Sequence, residues 1–216
     1  RWKRGPSMSL LECSAEPAPP GREPVRPDIV FEDFEKDAYE GWEVAGTAFG
    51  PGPLEKAKMP GYQGDVGGAG KRVANSHNTR NGEDVGAGDN HLGRLTSREF
   101  RVERKFVGFY IGGGNNPGQT CLNLLIDGKV VRTATGLNDN RMRRECFDVH
   151  DLEGQQARIE VVDEKQGGWG NVGADHIVFT DSPSTAEPLD ERADFGTMGL
   201  ALLDAQPDDA AVLSLP

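Results

Sequence analysis

Apolar and polar residues alternate over short stretches of this chain, and no stretch holds the 3.6-residue period of an amphipathic helix. Asp28–Phe34 (DIVFEDF) alternates apolar and acidic residues and predicts a strand, with a shorter one following over Trp42–Thr47 (WEVAGT). Residues 50–72 are rich in Gly and Pro and predict a loop, and Arg72–Asn75 begins another short strand before a polar loop at 76–93. Strands are predicted over Gly93–Phe100 and over Phe106–Gly112 (FVGFYIG), the second apolar enough to be buried on both faces. Leu122–Ile126 and Lys129–Thr135 flank Asp127-Gly128, a dipeptide that supplies the positive φ angles of a two-residue hairpin turn. Ala157–Asp163 (ARIEVVD) alternates again, and His176–Thr180 (HIVFT) closes the series. Eight or nine short strands with turns every 8–12 residues predict an all-β fold, a jelly-roll β-sandwich with Pro-rich or extended flanks.

Composition changes the picture mainly by excluding partners. The 216 residues include 29 Gly and 14 Pro and only 36% hydrophobic residues, which suits a turn-rich sandwich better than a helical bundle. Lys+Arg 24 against Asp+Glu 35 gives a net charge of −11, which repels nucleic-acid phosphates and anionic membranes alike, so neither is expected as a partner. No apolar run approaches the roughly 18 residues of a membrane span. The three cysteines, Cys13, Cys121 and Cys146, contain no CxxC and predict neither a disulfide framework nor a zinc site.

Two compositional breaks divide the chain. Residues 15–27 (AEPAPPGREPVRP) hold five prolines and form a semi-extended linker, and a second break lies at 181–194 (DSPSTAEPLDERAD). Outside them, Met8–Leu11 and Phe195–Leu203 are apolar but too short to build a core. The chain starts at Arg1 and stops inside what reads as an element, so it is expected to be a fragment. Residues 1–27 then read as a host-domain strand plus linker, 28–182 as an inserted sandwich, and 183–216 as a linker and the returning host strand. Insertion of this kind needs domain ends that lie close together. Loose tails are the alternative.

The chemistry-bearing residues make few constellations. Glu32, Asp33, Glu35, Asp163 and Asp175 are strand-end carboxylates, but a retaining glycosidase needs two of them about 5–5.5 Å apart across a sugar-sized cleft. The five could meet in space, but sequence supplies no such distance, pairs arise by chance in a domain this acidic, and no G-x-S-x-G elbow is present, so this chain is not expected to be an enzyme. His77, His91, His150 and His176 lack zinc-ligand spacing. Gly112-Gly113-Gly114 ends a strand with no helix after it, which predicts a sharp bend rather than a phosphate loop.

The runs IGGGNNPGQTCLNLLIDGKVVRTATG (111–136) and GGWGNVGADHIVF (167–179) resemble a galactose-binding-like β-sandwich module. That module accompanies fructan hydrolases of the levanase type and is compared with carbohydrate-binding module family 66. DIVFEDFEKDAYEGWEVAGTAFG (28–50) and the VANSHN…GRLTS stretch (73–97) belong to the same pattern. Separately, RADFGTMGLALLD (192–204) is similar to a strand motif in the N-terminal β-sandwich of family 116 glycoside hydrolases, the glucosylceramidase-like β-glucosidases. Together these resemblances imply an accessory sandwich inserted into a large glycosidase whose catalytic barrel and catalytic carboxylates lie outside this chain. They also imply one structural Ca²⁺ where the first strand meets the last, with Asp33, Glu35 and Asp175 as ligands. The alternative for those three is a turn residue and two solvated acids. An extracellular or periplasmic location fits such a module.

Sugar recognition needs an apolar ring face and polar side chains that can both donate to and accept from hydroxyls. Trp169, between glycines in Gly-Gly-Trp-Gly, is the stacking candidate, unless it folds inward as a core plug. Polar partners concentrate in three loops: Asn75–Asp84, Asn115-Asn116 and Asn138–Arg144. Within them Arg80, Asp84, Asn138 and Arg141 are the expected sugar-binding residues, with Asn171 beside the tryptophan. The expected partners are thus a glycan and the catalytic domain of the same parent chain. A sandwich that only packs against that domain, with no sugar ligand, is the competing reading.

Overall fold

A computed structural model describes residues 26–77 and 84–182. Most of both flanks, including the expected host-domain strands, lies outside the described residues. Twelve strands form in order: β1 (Ile29–Glu32), β2 (Trp42–Gly46), β3 (Leu54–Glu55), β4 (Arg72–Asn75), β5 (Gly93–Ser97), β6 (Phe100–Arg101), β7 (Phe106–Gly113), β8 (Thr120–Ile126), β9 (Lys129–Thr135), β10 (Asp139–Asp148), β11 (Gln156–Asp163) and β12 (Val172–Thr180). They build two six-stranded antiparallel sheets. The first runs β10-β7-β12-β4-β3 with β1 also on β12, and the second runs β2-β5-β11-β8-β9 with β6 also on β11. The chain crosses between the sheets at most connections, the course of a jelly roll. The expected all-β sandwich is the fold. Among the described residues no helix is long and apolar enough to cross a membrane.

Alternation explains the core. Val107, Phe109 and Ile111 of β7 and Ile177 and Phe179 of β12 face inward from the first sheet. Leu95, Leu122, Leu124, Ile159 and Val161 meet them from the second, a packing in which each strand buries every second side chain. Phe31, Phe34, Trp42, Phe109 and Phe179 are buried as their strand positions predict, whereas Phe106 is only half-buried. Phe34 falls just past β1 at φ +53, held there by its amide donating to Glu32 Oε1 at 2.9 Å. Glu32 also accepts from the Trp42 indole at 2.8 Å, so this carboxylate ties β1 to β2. Asp127 and Gly128 take φ +49 and +71, the hairpin geometry their dipeptide predicts.

Two expectations need correction. Asn138–Arg144 was expected to be a loop, yet Asp139–Asp148 is a ten-residue strand on the edge of the first sheet. Arg143 and Glu145 oppose the core-facing Ile111 and Phe109, and a register shift interrupts the pairing between Asp139 and Arg143, so no clean apolar alternation shows. The last strand was expected to start at His176 but starts at Val172, because Gly173 and Ala174 pair with Asn75 and Ala74 of β4.

The Gly- and Pro-rich loop after β3 does not hang free. Val66 and Met59 pack on Val73, Met142 and Tyr110, a satellite cluster on the outer face of the first sheet. Asp175 lies under this loop and is fully buried. A Cβ on Gly68 would come within 2.5 Å of Asp175 Oδ2, so only glycine at φ +76 lets the loop close over the carboxylate.

Candidate functional site

Register places one set of connections at a single end of the sandwich. Asn75 opposes Gly173, Gly113 opposes Val172, and Thr120 and Gly93 both oppose Asp163. The segments that follow β4, β7 and β9 and the β11–β12 loop therefore meet there.

The interior of that end is polar. His77 is buried, its amide donating to Asn75 Oδ1 at 2.8 Å. Its Nδ1 bonds Asp89 Oδ1 and its Nε2 bonds the Tyr62 hydroxyl. Because Asp89 as a carboxylate only accepts, the ring proton belongs on Nδ1 and Nε2 accepts from the phenol. A Cβ on Gly88 would sit 2.5 Å from His77 Cε1, so this glycine makes room for the imidazole. Burial, and then the nearby Asp89, push the Tyr62 phenol up. Asp163 is 0% exposed beside Ser76 and the Lys165 amide, and burial raises its carboxyl to about 7. Its Oδ2 has no partner among the described residues, and neither has Nε2 of the buried Gln63, whose Oε1 accepts from Asn75 at 3.4 Å. These groups meet in tertiary structure only, and each unsatisfied one costs stability.

Two aromatic rings stand at the rim. Tyr62 is 54% exposed and Trp169 is 40% exposed. Trp169 sits at φ +60 in the turn Gly167–Gly170, closed by a 2.7 Å bond from the Gly170 amide to the Gly167 carbonyl. The Gly167 amide donates to the Asp89 carbonyl at 3.1 Å, and Gln166 Nε2 to the Asn90 carbonyl at 2.9 Å. The loop that presents Trp169 is thus pinned to the segment that holds His77 and, through it, Tyr62.

The residues expected from sequence distribute unevenly around this end. Trp169 is accessible, and a core-plug role is excluded by its exposure. Asn171 is only 4% exposed; its Nδ2 donates to Asn140 Oδ1 at 3.0 Å and its carbonyl accepts from Gly114, so it braces the loops from within. Asn138 takes φ +58 and accepts from the Asn115 amide at 2.8 Å, a turn role. Asp84 accepts from the Gly86 amide at 3.0 Å and caps the 3₁₀ turn Val85–Asn90. Arg141 pairs with Asp65 at 2.5 Å, over the Gly-rich loop rather than beside Trp169. Arg80 lies outside the described residues.

The expected metal ligands do not converge. Asp33 Oδ1 accepts from the Glu35 amide at 3.1 Å, and Glu35 Oε1 from the amides of Lys71 and Arg72 at 2.7 and 3.0 Å. Asp175 accepts from the Ala69 amide at 2.6 Å, leaving Oδ1 without a partner among the described residues, and burial raises its carboxyl to about 7. Among the described residues no three His, Cys, Asp or Glu side chains gather as a metal-binding group. All three acids accept from backbone amides.

Tyr62, His77 and Asp89 were not singled out together from sequence. Tyr62 had a usable signal, since Pro-Gly-Tyr-Gln-Gly frames an aromatic with glycines just as Gly-Gly-Trp-Gly does. His77 and Asp89 had none, because their meeting depends on how the segment after β4 folds back.

No protein-family profile matches the chain. It is similar to part of a longer protein. A protein of Aspergillus rugulosus named as the glycosyl hydrolase ecdE is 33% identical over 173 residues, covering 77% of this chain and 23% of its own length. The chain thus spans less than a quarter of that relative. Among solved structures, the K2 adhesin domain of Lys-gingipain aligns with a TM-score of 0.48 at 16% identity, over 71% of this chain and 99% of that one. TmCBM61, solved in complex with β-1,4-galactotriose, aligns at 0.44 and 16% identity over 69% and 95%. A family 35 carbohydrate-binding module of Clostridium thermocellum aligns at 0.37 and 10% over 73% and 100%. All three scores are below 0.5, and the fold rests on the strand pairing itself.

Proposed function

We propose that residues 28–182 form a non-catalytic carbohydrate-binding module of a larger glycoside hydrolase, holding a glycan at the loop end. The observation that carries this reading is the pair of exposed rings, Tyr62 and Trp169, fixed around a buried polar cluster. Rings of this kind cover the apolar face of a sugar, and amide and carboxyl groups beside them meet its hydroxyls. Binding at the module raises the local substrate concentration for a linked catalytic domain through tethering.

A non-catalytic role fits the carboxyls. Asp163 and Asp175, whose burial raises them toward the range of a general acid, are both 0% exposed and meet no substrate. A glycosidase parent is supported by the similarity to the Aspergillus rugulosus protein. Insertion in a host domain, of family 116 type by the resemblance at 192–204, is supported by how the chain enters and leaves the sandwich. There β1 pairs with β12, and Arg26 forks onto Asp181 at 2.6 and 2.8 Å, holding the two ends together.

A glycan-array screen of the 216-residue chain, compared with Trp169→Ala and Tyr62→Ala, tests the reading. Binding that either substitution abolishes while the melting temperature holds is the expected result. No glycan bound by the wild type, with the variants folded, sinks it and leaves a sandwich that only packs against its host.

A further inference from the structure

The outer face of the first sheet carries a feature that the loop end does not explain. The ladder between β12 and β7 pairs Asp175 with Tyr110 and Val178 with Gly108, so β12 has two residues where β7 has one. Ala174 and Ile177 both face the core, which makes His176 the extra residue, at φ +48. That left-handed conformation suits glycine and strains any residue with a Cβ. Bulges of this kind re-aim a side chain, and here the side chain is an imidazole.

Around it lies a cavity of about 80 Å³, lined by Asp28, Gly108, Tyr110, Arg144, His176 and Val178. The Arg144 guanidinium sits 5.0 Å over the Tyr110 ring, and the His176 ring is 6.4 Å from the same ring. Burial first, and then Arg144, lower the His176 pKa while Asp33 opposes them, so the ring is neutral near pH 7 with one donor and one acceptor nitrogen. The lining therefore combines a cation, a carboxylate, a neutral imidazole and an aromatic face, and its formal charges cancel.

This set selects among ligands. A small anion that reached Arg144 would also meet the carboxylate of Asp28. A hydrocarbon would strip water from Arg144 and Asp28 without replacing it. Adjacent hydroxyls both donate and accept, so they suit a guanidinium and a carboxylate at once. The volume admits the edge of a sugar ring rather than a whole one. We propose that the cavity between Tyr110, Arg144, His176 and Asp28 is a second binding site, separate from the loop end, that takes the vicinal-hydroxyl edge of a neutral sugar or polyol.

The test is an amide NMR titration of the full chain with methyl β-D-glucopyranoside, methyl β-D-galactopyranoside, D-fructose and glycerol, with sodium acetate in parallel. At least one neutral probe is expected to give saturable shifts at Gly108, Tyr110 and His176 in the millimolar range. His176→Gly, whose backbone the bulge favours, and Arg144→Gln are each expected to weaken that response at least fivefold while distant signals stay in place. Trp169→Ala is expected to leave it unchanged. Shifts with acetate alone, with none of the four neutral probes, or undiminished in both variants overturn the proposal. The Trp169 indole signal reports the loop end independently, so the two sites can fail separately.

Discussion

Between the sheets, Phe109 and Ile159 are as deeply buried as Asp163 and Ser76 are at the loop end, yet the two regions are built in opposite ways. The inter-sheet layer is apolar, with tilted and stacked rings such as Phe109–Phe147 at 4.8 Å and Phe31–Phe179 at 4.9 Å. The loop end is equally closed but filled with Gln63, Asn75, Ser76, His77, Asp163 and Asn171. Two of its polar atoms, Gln63 Nε2 and Asp163 Oδ2, lack partners among the described residues. Packing of the first kind stabilises through area removed from water, whereas the second kind costs stability for each polar group left unmatched. The glycan-binding role proposed for the loop end would account for keeping such a cost where a cheaper apolar filling was open.

The contrast yields measurements of decreasing size. Phe109→Ala removes a ring from the inter-sheet layer and is expected to cost about 3–5 kcal/mol in urea denaturation. A loss under about 1 kcal/mol would mean that the layer is not the stabilising one.

The next effect is a pH dependence of opposite sign to that of paired surface acids. Burial raises Asp163 and Asp175 from 3.8 to about 7 in the folded state, so between those values the folded chain binds more protons than the unfolded one. Stability from these groups is complete below the unfolded value and is lost as pH rises toward 7, a change on the order of 3 kcal/mol per fully buried group. Asp65, Asp148 and Asp181 are held low by their hydrogen bonds, so their contribution is lost only at the acid extreme. Melting curves from pH 4 to 8 should therefore fall toward pH 8, and Asp163→Asn should flatten the slope; a rise across that range contradicts the burial argument.

Tyr62→Phe removes the phenol that His77 holds. The expected cost is about 1 kcal/mol, together with weaker glycan binding, since the ring would no longer be fixed. Unchanged affinity would show that the Tyr62–His77–Asp89 chain serves packing alone. Smallest of all is Arg141→Ala, which breaks an exposed pair with Asp65 and should cost no more than about 1 kcal/mol in the same denaturation experiment.

Where local chemistry decides, the residues were readable in advance. Asp127-Gly128 specifies its turn by the φ values that glycine and aspartate tolerate, and the flanking apolar runs follow. Trp169 between glycines stood out for a similar reason, but inward packing stayed open for it until the structure showed the ring exposed. Polar residues were not. Asn138, Asp84 and Asn171 have the composition of sugar-binding groups, but their hydrogen bonds go to Asn115, Gly86 and Asn140. Nothing in composition separates an amide that meets a ligand from one that closes a turn. Asn138–Arg144 hid a strand because an edge strand with one paired neighbour tolerates charge along its outward side.

The sequence by itself determined the fold class, the hairpin and much of the inward set of core side chains, because period-two alternation and turn preferences act within a few residues. Tertiary structure alone decided which polar groups became buried. Tyr62, His77 and Asp89 meet across the fold of the segment after β4, Asp163 is sealed by the pairing of β11 with β5 and β8, and Asp175 is sealed by a loop 106 residues earlier in the chain. Each depends on strand register and loop closure, which are collective properties of both sheets and leave no mark on the neighbouring residues.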